Sequence, residues 1–278
     1  MLLAQRAPNP PARPPLPSQR RFFFVAASLL IAGETIFWTV LAAVQSNSSV
    51  AALDGPGHDG LVASRNPVAT ALLTAVTTVT SPVWMTVIGC ALALAWAAWK
   101  REVWRPALLI GAMAATFAVS TLIKHDVGRG RPAASDFLLG PDDALSFPSG
   151  HTLGAGVFLG VLCYLLVAAR GTRTSKQSTT VLGFAAAAAA TLVVALSRLY
   201  LGYHWLTDVL ASMGLALAVT GIVILADGLR ATMAPRSGRL TTLPQPRPFG
   251  PVLAESDPSE AELSEPDAHR LGDHHRRG

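Results

Sequence analysis

The sequence predicts an all-α, polytopic membrane protein with six transmembrane helices and a short interfacial helix. Hydrophobic residues make up 51% of the 278 positions and charged residues only 14%, whereas soluble domains usually carry about 25% charged residues. The mean hydropathy is +0.41. Nearly all charges lie outside the apolar runs, and these runs approach the length of about 20 residues needed to span a bilayer. These observations exclude a disordered protein, a coiled coil and an ordinary cytosolic enzyme.

The first apolar run, residues 22–44, contains Glu34 as its only charge. A cleavable signal has an apolar stretch of only about 7–15 residues, so this run is predicted to be a retained first span. The uncharged run 67–99 is interrupted at Ser81-Pro82, and its first part, 67–81, is predicted to be a short helix at the outer surface. The other spans are predicted at 82–99, 106–123, 152–169, 177–197 and 204–226.

The two ends of the chain have a different composition from the middle. Residues 1–21 are rich in Pro and Arg, and residues 231–278 are polar and Pro-rich. Neither end can bury enough apolar surface to fold. We therefore predict a disordered cytoplasmic leader over 1–21, a membrane domain over 22–230 and a disordered cytoplasmic tail over 231–278.

The short loops predict the orientation of the spans. Lys and Arg are concentrated in the leader, between spans two and three, between spans four and five, and after span six. The positive-inside rule places these segments in the cytoplasm. Both termini are then inside, and loops 45–66, 124–150 and 198–203 face outside. This orientation accounts for the formal charge of +5, so no nucleic-acid partner is expected.

Three short polar segments lie on that outer side, at the ends of spans three to six. The first includes Lys124 and Arg131, which break the positive-inside rule and therefore suggest a function there, and the third includes Arg198. Arg presents a planar fork of donors that matches phosphate oxygens. Taken singly, a cation at a span end is usually a snorkelling anchor. The coincidence of all three segments on one face favours the functional interpretation.

The second segment, residues 148–151, has the sequence Pro-Ser-Gly-His and opens span four. A helix N-terminus offers free backbone N–H groups and the positive end of the helix dipole, which together bind anions. Gly150 would let a ligand approach the backbone closely. A Pro-Ser-Gly turn alone is most often only a helix cap, but its position on the same face as the cations favours an anion site.

The third segment places His204 and Asp208 four residues apart, on one face of a helix. A carboxylate there can hold an imidazole in one tautomer and support a positive charge on it. His151 has different neighbours. Two histidines in different surroundings suggest two roles, a nucleophile backed by Asp208 and a general acid.

Together, the three segments resemble the signature of the type 2 phosphatidic acid phosphatase family. In words, that signature is Lys, six residues, Arg-Pro; then Pro-Ser-Gly-His; then Ser-Arg, five residues, His, three residues, Asp. Every position of it is matched, and the resemblance covers about residues 22–226. The matched residues are Lys124, Arg131-Pro132, those at 148–151, Ser197-Arg198, His204 and Asp208.

The resemblance implies a role for each matched residue. His204 would attack phosphorus and form a phosphohistidine, Asp208 would orient it, and His151 would protonate the leaving oxygen and later help to activate water. No metal or other cofactor is used in such phosphatases, and fixed donors can stabilise charged oxygens without one. The phosphate oxygens would be held by Lys124, Arg131, Arg198, the Ser149 hydroxyl and the Gly150 amide.

The resemblance also implies the substrate class. A pocket at the outer bilayer surface can receive a lipid's phosphate while its tails remain in the membrane. A lipid phosphate or lipid pyrophosphate is therefore expected, with undecaprenyl pyrophosphate as the first choice by analogy with bacterial members. Phosphatidic acid and phosphatidylglycerol phosphate are the alternatives. The expected location is a bacterial cell membrane, and the sequence indicates no obligate protein partner.

Two other classes of protein compete with this interpretation. A vanadium-dependent haloperoxidase shares the oxyanion pocket, but such enzymes are soluble, which six apolar spans disfavour. A transporter or inactive protein could use the cations as a lipid-headgroup site. The complete set of His204, Asp208 and His151 disfavours that second class, which would bind without turnover.

Several other polar residues are less specific. Glu34, in the middle of span one, is expected to form a hydrogen bond between helices or else to have a function, since intramembrane carboxylates are functional candidates. Cys90 and Cys163 are predicted to be core residues without a disulfide. His125, Asp126 and Arg129 flank the first segment and could tune the rim of the pocket. The outer-loop residues predicted to be solvated are Asp54, His58, Asp59 and Arg65.

Overall fold

The structure, a computed structural model, describes residues 17–170 and 177–233. Within these ranges all regular secondary structure is helical: eight α-helices and two short 3₁₀ turns, Ser49–Leu53 and Ala134–Asp136, with no strand. Most of the predicted leader and tail lies outside the described residues. The helices are α1 (Pro17–Ser46), α2 (Asp54–Ala63), α3 (Pro67–Val79), α4 (Pro82–Lys100), α5 (Trp104–Val127), α6 (Gly150–Arg170), α7 (Gln177–Tyr200) and α8 (Leu206–Met233).

Six of these helices, α1 and α4 to α8, are long and apolar enough to cross a membrane. This confirms the predicted all-α membrane protein with six transmembrane helices. Residues 17–21 of the predicted leader belong to α1, and residues 231–233 of the predicted tail belong to α8. The helices exceed the predicted spans because an apolar run marks the part of a helix that lies in hydrocarbon, whereas the backbone hydrogen bonds continue beyond it.

Side-chain caps set the starts of α3 and α4. The Asn66 side chain accepts a hydrogen bond from the amide of Ala69 (2.9 Å), and Ser81 Oγ accepts one from the amide of Trp84 (3.4 Å). Each cap is followed by a Pro at the start of the helix, where its missing N–H would have had no intrahelical partner. The predicted short helix is therefore α3. The predicted interruption at Ser81-Pro82 is the N-terminal cap of α4.

The prediction of a plain outer loop over 45–66 is wrong, because this segment contains a 3₁₀ turn and α2. Asp54 and His58, predicted to be solvated, are only 5% and 8% exposed. Asp59 is exposed as predicted. Arg65 was also predicted to be solvated, but it donates hydrogen bonds to two backbone carbonyls that lie 71 and 135 residues away in the sequence. Partners this distant leave no mark on the local sequence pattern.

The expected interhelical hydrogen bond of Glu34 and the expected core position of Cys90 are also wrong. Glu34 accepts a hydrogen bond from the indole of Trp38 (2.8 Å), one turn along the same helix, so that bond does not link two helices. Cys90 is exposed rather than part of the core, and it lines the cavity described below, whereas Cys163 is partly buried. Both cysteines are free thiols.

Close backbone contact joins α1 to α8, which also packs against α6. A Cβ atom added to Gly33 of α1 would lie 2.5 Å from the amide nitrogen of Ala218 and nearer still to the carbonyl oxygen of Gly214. A Cβ on Gly221 would lie 2.7 Å from the carbonyl oxygen of Ala26. Small residues at such positions let two membrane helices approach each other closely. This contact fixes α8, which carries Asp208 at its N-terminal end.

Gly33→Ala is expected to destabilise the protein by about 1–3 kcal/mol, since the added methyl group must push two backbones apart. Gly111→Ala is the matched control, because a Cβ at that helical position meets nothing within 4 Å. Thermal unfolding in detergent checks this prediction. The melting temperature should fall by several degrees for Gly33→Ala and stay constant or rise for Gly111→Ala. Equal melting temperatures for both variants would contradict the packing argument.

Candidate active site

A cavity of about 630 Å³ opens among the end of α5, the start of α6 and the turn before α8. Its polar end is lined by five of the eight predicted site residues. The other three are buried in the wall behind it, with Ser149 and Asp208 at 0% and Arg198 at 4% exposure. The structure therefore brings the three sequence segments together in space. The five lining residues are Lys124, Arg131, Gly150, His151 and His204.

The pair formed by His204 and Asp208 follows from the start of α8. His204 lies in the turn before the helix, and Asp208 lies in its first turn. The Nδ1 atom of His204 is 3.2 Å from Oδ2 of Asp208. The same carboxylate oxygen accepts hydrogen bonds from the Trp205 amide (2.9 Å) and from the Ser146 hydroxyl. The predicted pairing of these two residues is therefore present, and Asp208 also caps the helix end that carries it.

The protonation of His204 follows from its surroundings. Burial lowers its pKa to about 4, against the opposing effect of Asp208, while the charges of Arg131 and Arg198 lower it further. The ring is therefore neutral near pH 7. Its single proton lies on Nδ1, because that nitrogen faces the carboxylate. The lone pair of Nε2 is left free to act as an acceptor or a nucleophile.

Arg131 approaches that same Nε2 atom. Its Nη1 lies 3.2 Å from His204 Nε2 and donates a hydrogen bond to the carbonyl of Tyr203 (2.7 Å). Its Nε donates to the carbonyl of Ala144 (2.6 Å), and its Nη2 forms a 2.9 Å ion pair with Asp142. Burial lowers the pKa of Arg131, and the nearby Asp142 carboxylate opposes that effect. An anion that enters the cavity therefore meets a fixed guanidinium beside the unprotonated Nε2 nitrogen of His204.

Lys124 lies in the last turn of α5, where its ammonium group donates to the backbone carbonyls of Leu145 and Ser146. The helix ends at Gly128, which has a φ of +62° and donates its N–H to the carbonyl of Lys124 (2.9 Å). Glycine is favoured in this left-handed conformation. The turn it makes returns the chain toward the site, so that Arg131 follows Lys124 into the same cavity.

The start of α6 supplies the other predicted anion ligands. The space where Gly150 would carry a Cβ is open, and Gly150 lines the cavity. Ser149 is tied into the wall, because its amide donates to the Asp208 carbonyl (3.3 Å) and its hydroxyl accepts from Thr152 (3.1 Å). The helix N-terminus is thus joined directly to α8.

Arg198, at the end of α7, is held by a helix outside the three segments. Its Nη1 donates to the Thr77 hydroxyl of α3 (2.8 Å), and its guanidinium lies 4.4 Å from the centre of the Tyr203 ring. Its Nε is buried and has no hydrogen-bond partner within the described part of the chain. Within the described residues, Arg198 therefore retains one unpaired donor in the wall of the site.

Sequence reasoning missed several residues of the site. Asp142 and Ser146 lie in the loop before α6 and belong to no spaced motif, so no sequence signal could have found them. Arg129 was expected to tune the rim, but it binds Asp208 and Asp54 instead. The other two rim candidates, His125 and Asp126, are exposed and do not line the cavity.

The helical bundle and its site define a class of protein: a membrane-embedded enzyme that handles a group with several charged oxygens. Residues 105–230 match the model of the PAP2 superfamily and contain all eight predicted site residues. This match confirms the resemblance found in the motifs. The superfamily match also confirms the predicted enzyme class, which is a phosphatase of the hydrolase type.

Two comparisons extend this finding beyond the matched residues. Phosphatidylglycerophosphatase B of Bacillus subtilis (strain 168) is 27% identical over 193 residues, which cover 68% of this chain and 90% of that relative. Among solved structures, a transmembrane PAP2 type phosphatidylglycerolphosphate phosphatase from Bacillus subtilis superposes with a TM-score of 0.62 at 22% identity. That superposition covers 70% of this chain and 96% of the other. The fold is therefore shared along nearly the whole of the solved chain.

Asp142→Asn is expected to tighten the binding of orthovanadate, a phosphate analogue, by up to about fivefold. The reason is that an incoming anion must displace the Asp142 carboxylate from Arg131, and a partly exposed ion pair contributes up to about 1 kcal/mol. The apparent dissociation constant can be measured from the stabilisation of the solubilised protein against heat.

The neighbouring Asp143→Asn is the matched control, since Asp143 is exposed and one residue away. Its effect on vanadate binding should be small, because it lacks the ion pair with Arg131. Equal tightening in both variants would show that the effect comes from the change in net charge. It would contradict direct competition between Asp142 and the anion at Arg131.

Proposed function

We propose that this protein hydrolyses a lipid phosphate or lipid pyrophosphate, without a metal, through a phosphohistidine intermediate. One observation carries the proposal: a single cavity joins the histidines and cations at its polar end to a long apolar section. The polar end suits a phosphate group, and the apolar section suits the hydrocarbon of the same molecule.

The apolar section runs between α4 and α5. On α5 the lining residues extend from Lys124 back to Ile110, which is about 20 Å along a helix with a rise of 1.5 Å per residue. The lining residues Cys90 of α4 and Phe117 of α5 are also exposed at the surface of the bundle. The cavity therefore opens sideways, toward the region where acyl chains would lie, which favours a lipid over a water-soluble phosphate ester.

In the first proposed step, Nε2 of His204 attacks phosphorus. The bond between Nε2 and phosphorus forms as the bond between phosphorus and the leaving oxygen breaks. Protonated His151 gives its proton to that oxygen, so the lipid leaves as an alcohol or, from a pyrophosphate, as a monophosphate. Asp208 supports the positive charge that develops on the imidazole.

In the second step, water attacks the phosphorus of the phosphohistidine. His151, now neutral, accepts the proton of the water, the bond to Nε2 breaks, and inorganic phosphate leaves. Fixed donors stabilise the charged oxygens in both steps, since they need no reorganisation as charge develops. These donors are Lys124, Arg131, Arg198, the Ser149 hydroxyl and the Gly150 amide.

Three substrates are proposed: phosphatidylglycerol phosphate, undecaprenyl pyrophosphate and phosphatidic acid. The relatives named above carry phosphatidylglycerophosphatase activity in their names, and this favours a glycerophospholipid phosphate. Undecaprenyl pyrophosphate, the first choice from the sequence, rests on analogy with bacterial members of the family. Phosphatidic acid is the third proposed substrate, and it lacks the glycerol phosphate that phosphatidylglycerol phosphate carries.

The protein is an integral membrane protein, and we propose the orientation that the positive-inside rule gives. Both termini then lie in the cytoplasm, and the polar end of the cavity faces outside. The support for this proposal is the basic residues at the opposite ends of the spans, which include Lys100, Arg105 and Arg230. The site cations Lys124 and Arg131 are then on the outer side because they bind an anionic substrate.

Purified protein in detergent is expected to release phosphate from one or more of phosphatidic acid, phosphatidylglycerol phosphate and undecaprenyl pyrophosphate, with EDTA present. His204→Ala should lose at least about 1,000-fold in kcat, because it removes the nucleophile. A rapid acid-free quench should also trap a phosphoenzyme in the wild type but not in this variant.

His125→Ala is the matched control, since His125 is exposed away from the cavity. Inhibition by EDTA, or turnover by His204→Ala, would contradict the proposal. Binding without turnover in folded protein would support a headgroup-binding protein instead.

The orientation is tested with single cysteines in a variant that lacks Cys90 and Cys163. A membrane-impermeant maleimide should label Pro141→Cys in intact cells, because the loop before α6 faces outside. It should label Lys100→Cys only after lysis. Both positions are exposed, so access to the reagent depends on the side of the membrane. The reverse pattern would overturn the proposed orientation.

A further inference from the structure

The first residue of α2, Asp54, is a buried carboxylate outside all three motif segments. Its Oδ1 accepts a hydrogen bond from the Thr207 amide (2.9 Å), and its Oδ2 accepts one from the Thr207 hydroxyl (2.6 Å). It is 5% exposed. Burying a charge is unfavourable unless the charge is paired, so this carboxylate requires a partner of opposite charge.

That partner is Arg129, which bridges two carboxylates. Its Nη2 is 2.6 Å from Oδ2 of Asp54, and its Nη1 is 2.6 Å from Oδ1 of Asp208. Its Nη1 also donates to the Thr207 hydroxyl (2.6 Å). The guanidinium therefore occupies the oxygen of Asp208 that His204 does not use. The order of contacts is Asp54, Arg129, Asp208 and His204.

We infer that Asp54 is a positioning residue for the proposed reaction: it orients Arg129, and through Arg129 the Asp208 carboxylate that directs His204. This inference rests on the proposed function. Asp54 touches neither the cavity nor His204, so it acts only through the other residues. The inference connects α2, which no motif includes, to the proposed nucleophile through Arg129 and Asp208.

The bridge has two consequences for His204. It fixes the plane of the Asp208 carboxylate, since Oδ1 is held by Arg129 while Oδ2 faces the imidazole. It also leaves part of the negative charge of Asp208 in place, because Arg129 shares its one positive charge between Asp54 and Asp208. If Asp54 loses its charge, Arg129 pairs fully with Asp208 and draws the carboxylate toward itself. The Nδ1 hydrogen bond of His204 then weakens and the imidazole loses its alignment.

Asp54→Asn is the informative substitution, because Asn is isosteric and retains an acceptor for the Thr207 amide while losing the charge. We expect kcat to fall by about 10- to 100-fold, because small displacements of reacting groups have effects of this size. KM should change by less than about twofold. Asp59→Asn is the matched control on the same helix, since Asp59 is exposed, and it should behave as the wild type.

A double-mutant cycle separates positioning from a merely structural role. If Asp54 acts through Asp208, Asp54→Asn should have little further effect on kcat in an Asp208→Asn background. An equal fold-loss in both backgrounds would overturn the inference and leave Asp54 as a structural residue. A kcat for Asp54→Asn equal to that of Asp59→Asn would also overturn it.

A second measurement does not depend on turnover. In protein labelled with ¹⁵N-histidine, the Nδ1 proton of His204 is assigned by its absence in His204→Ala. Its resonance should shift or broaden in Asp54→Asn and remain unchanged in Asp59→Asn. If the wild type hydrolyses none of the lipids, the proposed function fails and this resonance alone decides the inference. A shift then supports the positioning role, and an unchanged resonance overturns it.

Discussion

The buried carboxylate of Asp208 is the interaction on which the rest of the site depends. It is fully buried, and an isolated charge in such surroundings would be very unfavourable. Its two oxygens are instead satisfied by donors from three parts of the chain. Removing one partner of a buried pair usually costs about 3–5 kcal/mol, so these parts must come together for the site to form. The donors are Arg129, the Ser146 hydroxyl, the Trp205 amide and His204 Nδ1.

This requirement explains why the helices outside the spans are part of the site. α2 contributes Asp54, which shares Arg129 with Asp208, and α3 contributes Thr77, which binds Arg198. Both contacts join segments that lie more than 70 residues apart. The segment 45–66 therefore supports the candidate site residues, and the glycine contact between α1 and α8 holds the helix that carries Asp208.

The cavity combines two physical environments that a lipid substrate requires together. At one end, Lys124 and Arg131 have their donors bound by loop carbonyls and by Asp142, so a phosphate replaces existing partners and does not enter an empty charge cluster. At the other end, α4 and α5 provide apolar walls, whose residues include the exposed Phe117. A water-soluble ester would use only the first environment, and so the cavity favours amphipathic phosphates.

The sequence by itself determined the helical class and the six spans, and it predicted eight candidate site residues, because apolar length and short motif spacing are local properties. It also predicted the pairing of His204 with Asp208, which one helical turn fixes. It could not predict α2, the burial of Asp54 and His58, or the positions of Asp142 and Ser146. Only the tertiary structure decided that Arg129 faces Asp208 rather than the rim, because its partners lie 75 and 79 residues away. Burial of a polar residue depends on which distant groups satisfy it, and no local pattern encodes those groups.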